Sequence, residues 1–170
     1  MKPNCIFVYG TLRKEFEKTI PYSKYFNKNT TSKPAKLLNA KLYYDSIYPY
    51  VIIDNEITES YVDGLLVFPE YMDDKLKEAD KIEGNLYKRT ISNILCDNII
   101  VNAFVYIRHN ISAGDIIVSL TDWTTVNIKD LNIEYLIKNY NLEYDIANNI
   151  LEKTNNDMVL VKSLIKWNII

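Results

Sequence analysis

The sequence predicts an α+β fold, with short strands through most of the chain and helices at its end. Three observations predict it. Residues 5–120 hold brief apolar runs rich in β-branched and aromatic side chains, each closed by Gly, Pro, Asn or Asp. Within that region, residues 71–82 switch to helical spacing. From Ile128 onward, apolar residues recur every three or four positions, with short polar breaks between sets.

Cys5 to Tyr9 is an apolar run long enough for a buried strand and too short for a helix. Gly10 stops it, Thr11 and Leu12 turn the chain, and Arg13 to Lys18 reads as polar surface. Residues 21–34 read as a loop with room for one short helix. Ala35 to Tyr44 is a strand, Asp45 to Pro49 a turn and Tyr50 to Ile53 a short strand closed by Asp54 and Asn55. Tyr61 to Phe68 is another strand, whose Gly64 marks a bulge or a close backbone approach. Tyr71 to Ile82 forms a helix capped by Asp73 or Asp74, with Gly84 just past its last turn, so Glu83 stands where the helix ends. Lys88–Leu95 and Ile99–Arg108 make a hairpin around Cys96, Asp97 and Asn98, and Asp115–Leu120 is a last short strand. Helices follow over Leu131–Tyr140, Glu143–Thr154 (with Asn141 as a candidate cap) and Asp157–Trp167. They suit a compact three-helix bundle, giving units at 1–127 and 128–170.

Composition excludes several classes of function. A net charge of −2 lacks the basic face of a general nucleic-acid binder, so no nucleic-acid partner is expected. No apolar run reaches the roughly 18 residues of a membrane span, and the N-terminus has no long apolar leader, so a cytoplasmic protein off the membrane is expected. The two cysteines, Cys5 and Cys96, sit in apolar runs and read as buried and reduced. With the single histidine, His109, they do not make a zinc site, and no metal or cofactor is expected. His109 reads as an exposed loop residue, which leaves carboxylates, tyrosines and backbone groups for any chemistry.

Two stretches carry that chemistry. A strand running into Gly10 leaves backbone N–H groups at the sheet end without ladder partners, and these can hold an anion such as a carboxylate. The simpler alternative is a first strand and a tight turn. The glycine and lysine spacing of nucleotide-phosphate loops is absent. The second stretch is Asp80-Lys-Ile-Glu-Gly84 followed by Tyr87-Lys-Arg89. A carboxylate at a helix end beside a glycine can point into an apolar mouth, where its pKa rises toward that of a general base. The alternative is a surface acid paired with Lys81 or Arg89.

Taken in order, Phe7-Val-Tyr-Gly-Thr-Leu-Arg13, Tyr48-Pro49, Val62-Asp-Gly-Leu65, Ile82-Glu-Gly84, Tyr87-Lys-Arg89, Ala103-Phe-Val-Tyr106 and Asp122-Trp123 resemble the gamma-glutamylcyclotransferase-like family over roughly residues 4 to 125. The resemblance implies a small mixed β-barrel with flanking short helices. It also implies a ligand cavity at the Tyr9-Gly10-Thr11-Leu12 loop and Glu83 as catalytic acid/base. The implied reaction releases 5-oxoproline from a γ-glutamyl substrate, with no cofactor and one carboxylate moving the proton. The N–H groups of Gly10 to Leu12 suit the substrate α-carboxylate. Tyr9, Tyr87 and Tyr106 can shape the pocket or donate to the substrate, or equally pack in the core. Loops 21–34 and 109–115 are expected to set pocket breadth.

Residues 140–164, marked by Ala147, Leu151, Thr154-Asn-Asn-Asp157 and Leu164, resemble a ubiquitin-associated-type three-helix domain, which implies a protein partner. The reading from a different class is therefore a non-catalytic binding module, with the barrel pocket kept and the helical tail as working surface.

Overall fold

The computed structural model describes residues 2–54, 56 and 59–170. Five strands close a mixed barrel in the order β1 (Ile6–Val8), β5 (Tyr61–Pro69), β2 (Thr30–Leu38), β6 (Lys88–Cys96), β7 (Ile99–Ile107), and β7 returns to β1. All neighbours are antiparallel except β1 and β7, which run parallel with Ile6 opposite Phe104. Three further strands, β4 (Pro49–Ile53), β3 (Ala40–Tyr44) and β8 (Ile116–Ile117), form a small sheet beside it. Helices α1 (Pro21–Asn27) and α2 (Met72–Glu83) flank the barrel, and α3 (Ile128–Tyr140), α4 (Tyr144–Lys153) and α5 (Met158–Lys166) end the chain.

β1 is apolar throughout because both of its faces are covered. Cys5, Phe7 and Tyr9 pack into one core with Leu37, Leu66 and Val105, while Ile6 and Val8 pack into a second core under α1 and α2 with Phe26, Leu76 and Ala79. Gly64 fits because β5 crosses β1 too closely for a side chain: a Cβ there would lie within 2.5 Å of Phe7 Cζ. The β6–β7 hairpin turns through Asp97 and Asn98, at φ 50° and 62°, left-handed values that these two residue types tolerate.

Several expectations change. The stretch before Pro34 is helix α1 and the start of β2. Pro34 sits within β2, its carbonyl accepting from the Cys96 thiol on the side away from β5, so its missing N–H removes no bond to β5. The strand expected over 35–44 is two strands, broken at Asn39 (φ 54°). The N-cap of helix α2 is Tyr71, whose side chain makes no capping bond; Asp73 and Asp74 lie in the first turn instead. Asn141 closes α3 in the left-handed conformation (φ 53°) and does not open α4, whose N-cap is Glu143. The strand expected over 115–120 is regular only at Ile116–Ile117, although Val118 N–H still donates to Leu42. Asn55, part of the closing turn after β4, lies outside the described residues.

The terminal helices have their own core of Ile133, Leu136, Ala147, Leu151, Met158 and Val161. Helix α3 also serves the rest of the molecule. Leu131 enters the barrel-side core beside Trp123, and Asn132 accepts from the Tyr44 hydroxyl (2.8 Å) while donating to Asn156 (2.8 Å). Lys138 and Asn139 donate to the Asp115 and Gly114 carbonyls at 2.7 and 2.9 Å.

Candidate functional site

The loop after β1 is braced from behind. Arg13 N–H closes a turn on the Gly10 carbonyl (3.1 Å). Helix α1 takes the other polar groups: Asn27 donates to the Leu12 carbonyl (2.8 Å), Ser23 to the Arg13 carbonyl (2.8 Å), and Tyr22 to the Thr11 hydroxyl (3.0 Å). The N–H groups of Gly10, Thr11 and Leu12 donate to no protein acceptor among the described residues. Arg13 is not polar surface as expected. It is buried, its guanidinium held by Asp122 (2.8 Å) and Glu15 (2.7 Å), so Asp122, which caps the 3-10 turn Trp123–Thr125, clamps the loop from the far side.

Glu83 closes α2, where Gly84 adopts φ 59° and ψ −149°, a conformation that suits only glycine, and donates to the Asp80 carbonyl. The side chain is half-buried and has no hydrogen-bond or ion-pair partner among the described residues. It does not pair with Lys81 or Arg89; Arg89 bonds Asp80 instead, at 2.9 Å and 3.2 Å. Burial lifts the Glu83 carboxyl to about 7, and the Arg108 charge partly opposes that rise.

Loop and carboxylate face one cavity of about 240 Å³. Tyr9, Gly10, Thr11, Leu12, Glu83, Tyr87 and Tyr106 all line it, so every site residue named from the sequence meets in one place. The three tyrosine hydroxyls are already engaged. Tyr9 donates to the Tyr106 carbonyl (2.8 Å), Tyr106 to Asp80 (2.6 Å) and Tyr87 to the Pro49 carbonyl (2.8 Å). Burial raises all three above the ordinary tyrosine range, so they stay neutral walls. Pro49 closes the wall against the loop so tightly that a Cβ on Gly10 would meet its Cγ at 2.8 Å.

Sequence reasoning missed Tyr22, Ile82 and Leu86 as lining groups. Of the two loops expected to set the breadth, 21–34 contributes Tyr22 through α1, whereas none of 109–115 lines the cavity. His109 is exposed. Among the described residues no cluster of three or more His, Cys, Asp or Glu is placed to hold a metal.

Arg108 was also missed. Its guanidinium lies between the rings of Tyr50 (4.4 Å) and Tyr87 (4.7 Å), pairs with Asp45 (2.7 Å) and donates to the Tyr87 hydroxyl (3.3 Å). Asp45 in turn accepts from the N–H groups of Ile47 and Tyr48, which fixes the turn that presents Tyr48 and Pro49. One partly buried cation thus ties together two walls of the cavity. Arg108→Met is expected to raise the midpoint at which Glu83 titrates above about 7, because only burial then acts on it. A carbon-13 titration of the labelled carboxyl group checks this, and an unmoved midpoint would contradict it.

A family model described as gamma-glutamyl cyclotransferase, AIG2-like, matches residues 6–125. No curated protein matches the chain. Solved structures share the fold. YkqA from Bacillus subtilis superposes with a TM-score of 0.54 at 19% identity, over 82% of this chain and 43% of that one. A protein of Arabidopsis thaliana solved in solution gives 0.51 at 18%, over 81% and 87%. The urea amidolyase of K. lactis gives 0.53 at 15%, over 70% of this chain and 7% of that one. The chain therefore spans less than half the length of YkqA.

Proposed function

The chain belongs to the gamma-glutamyl cyclotransferase, AIG2-like family, and from that premise we propose that it converts a γ-glutamyl amide to 5-oxoproline and a free amine. The carrying observation is a half-buried, unpartnered Glu83 facing the same small cavity as the free N–H groups of Gly10 to Leu12.

The α-carboxylate of the substrate binds the three loop N–H groups, none of which has a protein partner among the described residues. This fixes the γ-glutamyl chain so that its α-nitrogen reaches the γ-carbonyl, and holding both ends converts a floppy cyclisation into a positioned one. Glu83, poised at about 7, takes a proton from the α-ammonium. The freed amine attacks the γ-carbonyl, forming the ring C–N bond. That attack leaves a second proton on the ring nitrogen. As the original amide C–N bond breaks, the same carboxyl gives the first proton to the leaving nitrogen, then takes the second from the ring nitrogen and passes it to the departing amine, which leaves as its ammonium form. Atoms and charge balance with no enzyme-bound intermediate. Tyr9, Tyr87 and Tyr106 exclude water and hold the walls.

Incubation of the full chain with γ-glutamyl amides should give 5-oxoproline and amine in equal amounts, with no glutamate, as read by chromatography. Saturable binding of the amides without release of either product would contradict turnover and leave a binding module.

A further inference from the structure

We propose that Asp115 and Tyr50 are positioning residues of this site: helix α3 fixes Asp115, Asp115 fixes the Tyr50 ring, and that ring seats Arg108 against the cavity wall. The placement of Arg108 is read without turnover; only its kinetic consequence rests on the cyclotransferase reading.

Arg108 needs a seat. Its guanidinium bonds Asp45 and the Tyr87 hydroxyl, but its Nε is buried and finds no acceptor among the described residues. Hydrogen bonds alone therefore do not define its position, and the rings of Tyr50 and Tyr87 do the rest. Tyr50 is fully buried, and Tyr43 stacks on it with centroids 5.5 Å apart. Its hydroxyl donates to the Asp115 carboxylate, which also accepts from the Ser112 N–H (3.1 Å). Anchored at this far end, the ring is kept from tilting away from the guanidinium.

Asp115 stands just before β8, a strand of two residues, so it has little regular structure of its own to hold it. Helix α3 supplies the hold. Lys138 donates to the Asp115 carbonyl and Asn139 to the Gly114 carbonyl. The two segments approach so closely that a side chain at Gly114 would collide with Asn139. Helix α3 begins after residue 125, where the family match ends, so the brace comes from outside the matched region.

The placement is felt at Glu83. The cavity presents Tyr9, Tyr22, Tyr48, Tyr87 and Tyr106 to this acid, and Asp80, on the same helix, is paired with Arg89. The charge of Arg108, itself paired with Asp45, opposes the effect of burial on Glu83.

Exchange of the Arg108 Nε–H with water, followed by nitrogen-15 NMR on the full chain, reads the seat directly. Tyr50→Phe keeps the ring and removes its anchor. Exchange is then expected to quicken about tenfold or more, as loss of a bond to a carboxylate implies. Lys138→Ala combined with Asn139→Ala alters only exposed side chains and should quicken it about threefold. In both variants the carbon-13 midpoint of Glu83 should rise, because the Arg108 charge acts on it less. Adding Tyr50→Phe to Arg108→Met should raise it no further, because the tyrosine acts through the arginine. Native exchange in Tyr50→Phe or in the α3 double variant would overturn the proposal. So would an equal rise in midpoint with Arg108 absent. Should Tyr50→Phe fail to fold, the α3 double variant decides alone. The acid limb of the pH profile for 5-oxoproline release should move up with the Glu83 midpoint. A limb that stays in place while exchange and midpoint shift would contradict the cyclotransferase reading and leave the positioning roles standing.

Discussion

Gly64→Ala is expected to destabilise the barrel by about 3 kcal/mol or more, enough to lower Tm by roughly 6–12 °C in a chain of this size. The reason lies in what the methyl group would meet. It would press on the Val8 carbonyl oxygen, which is backbone, and come within 2.5 Å of Phe7 Cζ. Neither can step aside. Val8 is held in register with Leu65 across the β1–β5 ladder, and Phe7 is fully buried in the barrel core. Relief requires β1 to shift, and β1 carries Gly10 to Leu12 at its end. Loss of stability and loss of ligand binding should therefore appear together. Thermal and urea melts of the variant check the first, and a variant that melts like the native chain would contradict the close-approach account.

Glu83→Gln should separate activity from stability in opposite directions. General acid–base catalysis contributes about 10²–10⁴-fold, so loss of the carboxyl is expected to slow 5-oxoproline release by that factor. Stability moves the other way, and only at high pH. Burial raises the folded-state pKa from the ordinary 4.5 to about 7, so ionising Glu83 costs folding free energy. That cost is absent below pH 4.5, grows between 4.5 and 7, and is constant above. Because the group is half-buried, we take the full cost as about 2 kcal/mol and not the larger value of the undiscounted shift. Glutamine has no such cost. The variant should therefore match the native chain near pH 4 and be the more stable protein at pH 8, as melts at the two pH values would show. A site group that is kept at the expense of stability is what a functional role predicts.

Much of this was legible in the sequence because the signals were local. The continuous apolar run of β1, the Asp97–Asn98 turn and the helix ending at Gly84 each announce themselves within a few residues, and they place both Glu83 and the loop. What was not legible depends on distant partners. Thr30 to Pro34 is polar and mostly open to solvent, so it has no period of its own; pairing along the whole of β5 makes it a strand. Helix α1 was signalled only by Pro21 at its first position and is held by the loop it supports. Arg108 reads as the end of a strand, yet its partners Tyr87 and Asp45 lie 21 and 63 residues away. Arg13 misled for the same reason, since Asp122, 109 residues on, is what allows its charge to be buried.

The central claim is that Glu83 moves the proton in 5-oxoproline formation. The most direct test is the initial rate of 5-oxoproline release at pH 8 from one γ-glutamyl alkylamide, with native and Glu83→Gln chains assayed side by side and both shown to be folded by circular dichroism. The account predicts steady release by the native chain and a rate at least about a hundredfold lower in the variant. A folded variant that releases 5-oxoproline as fast as the native chain would contradict it.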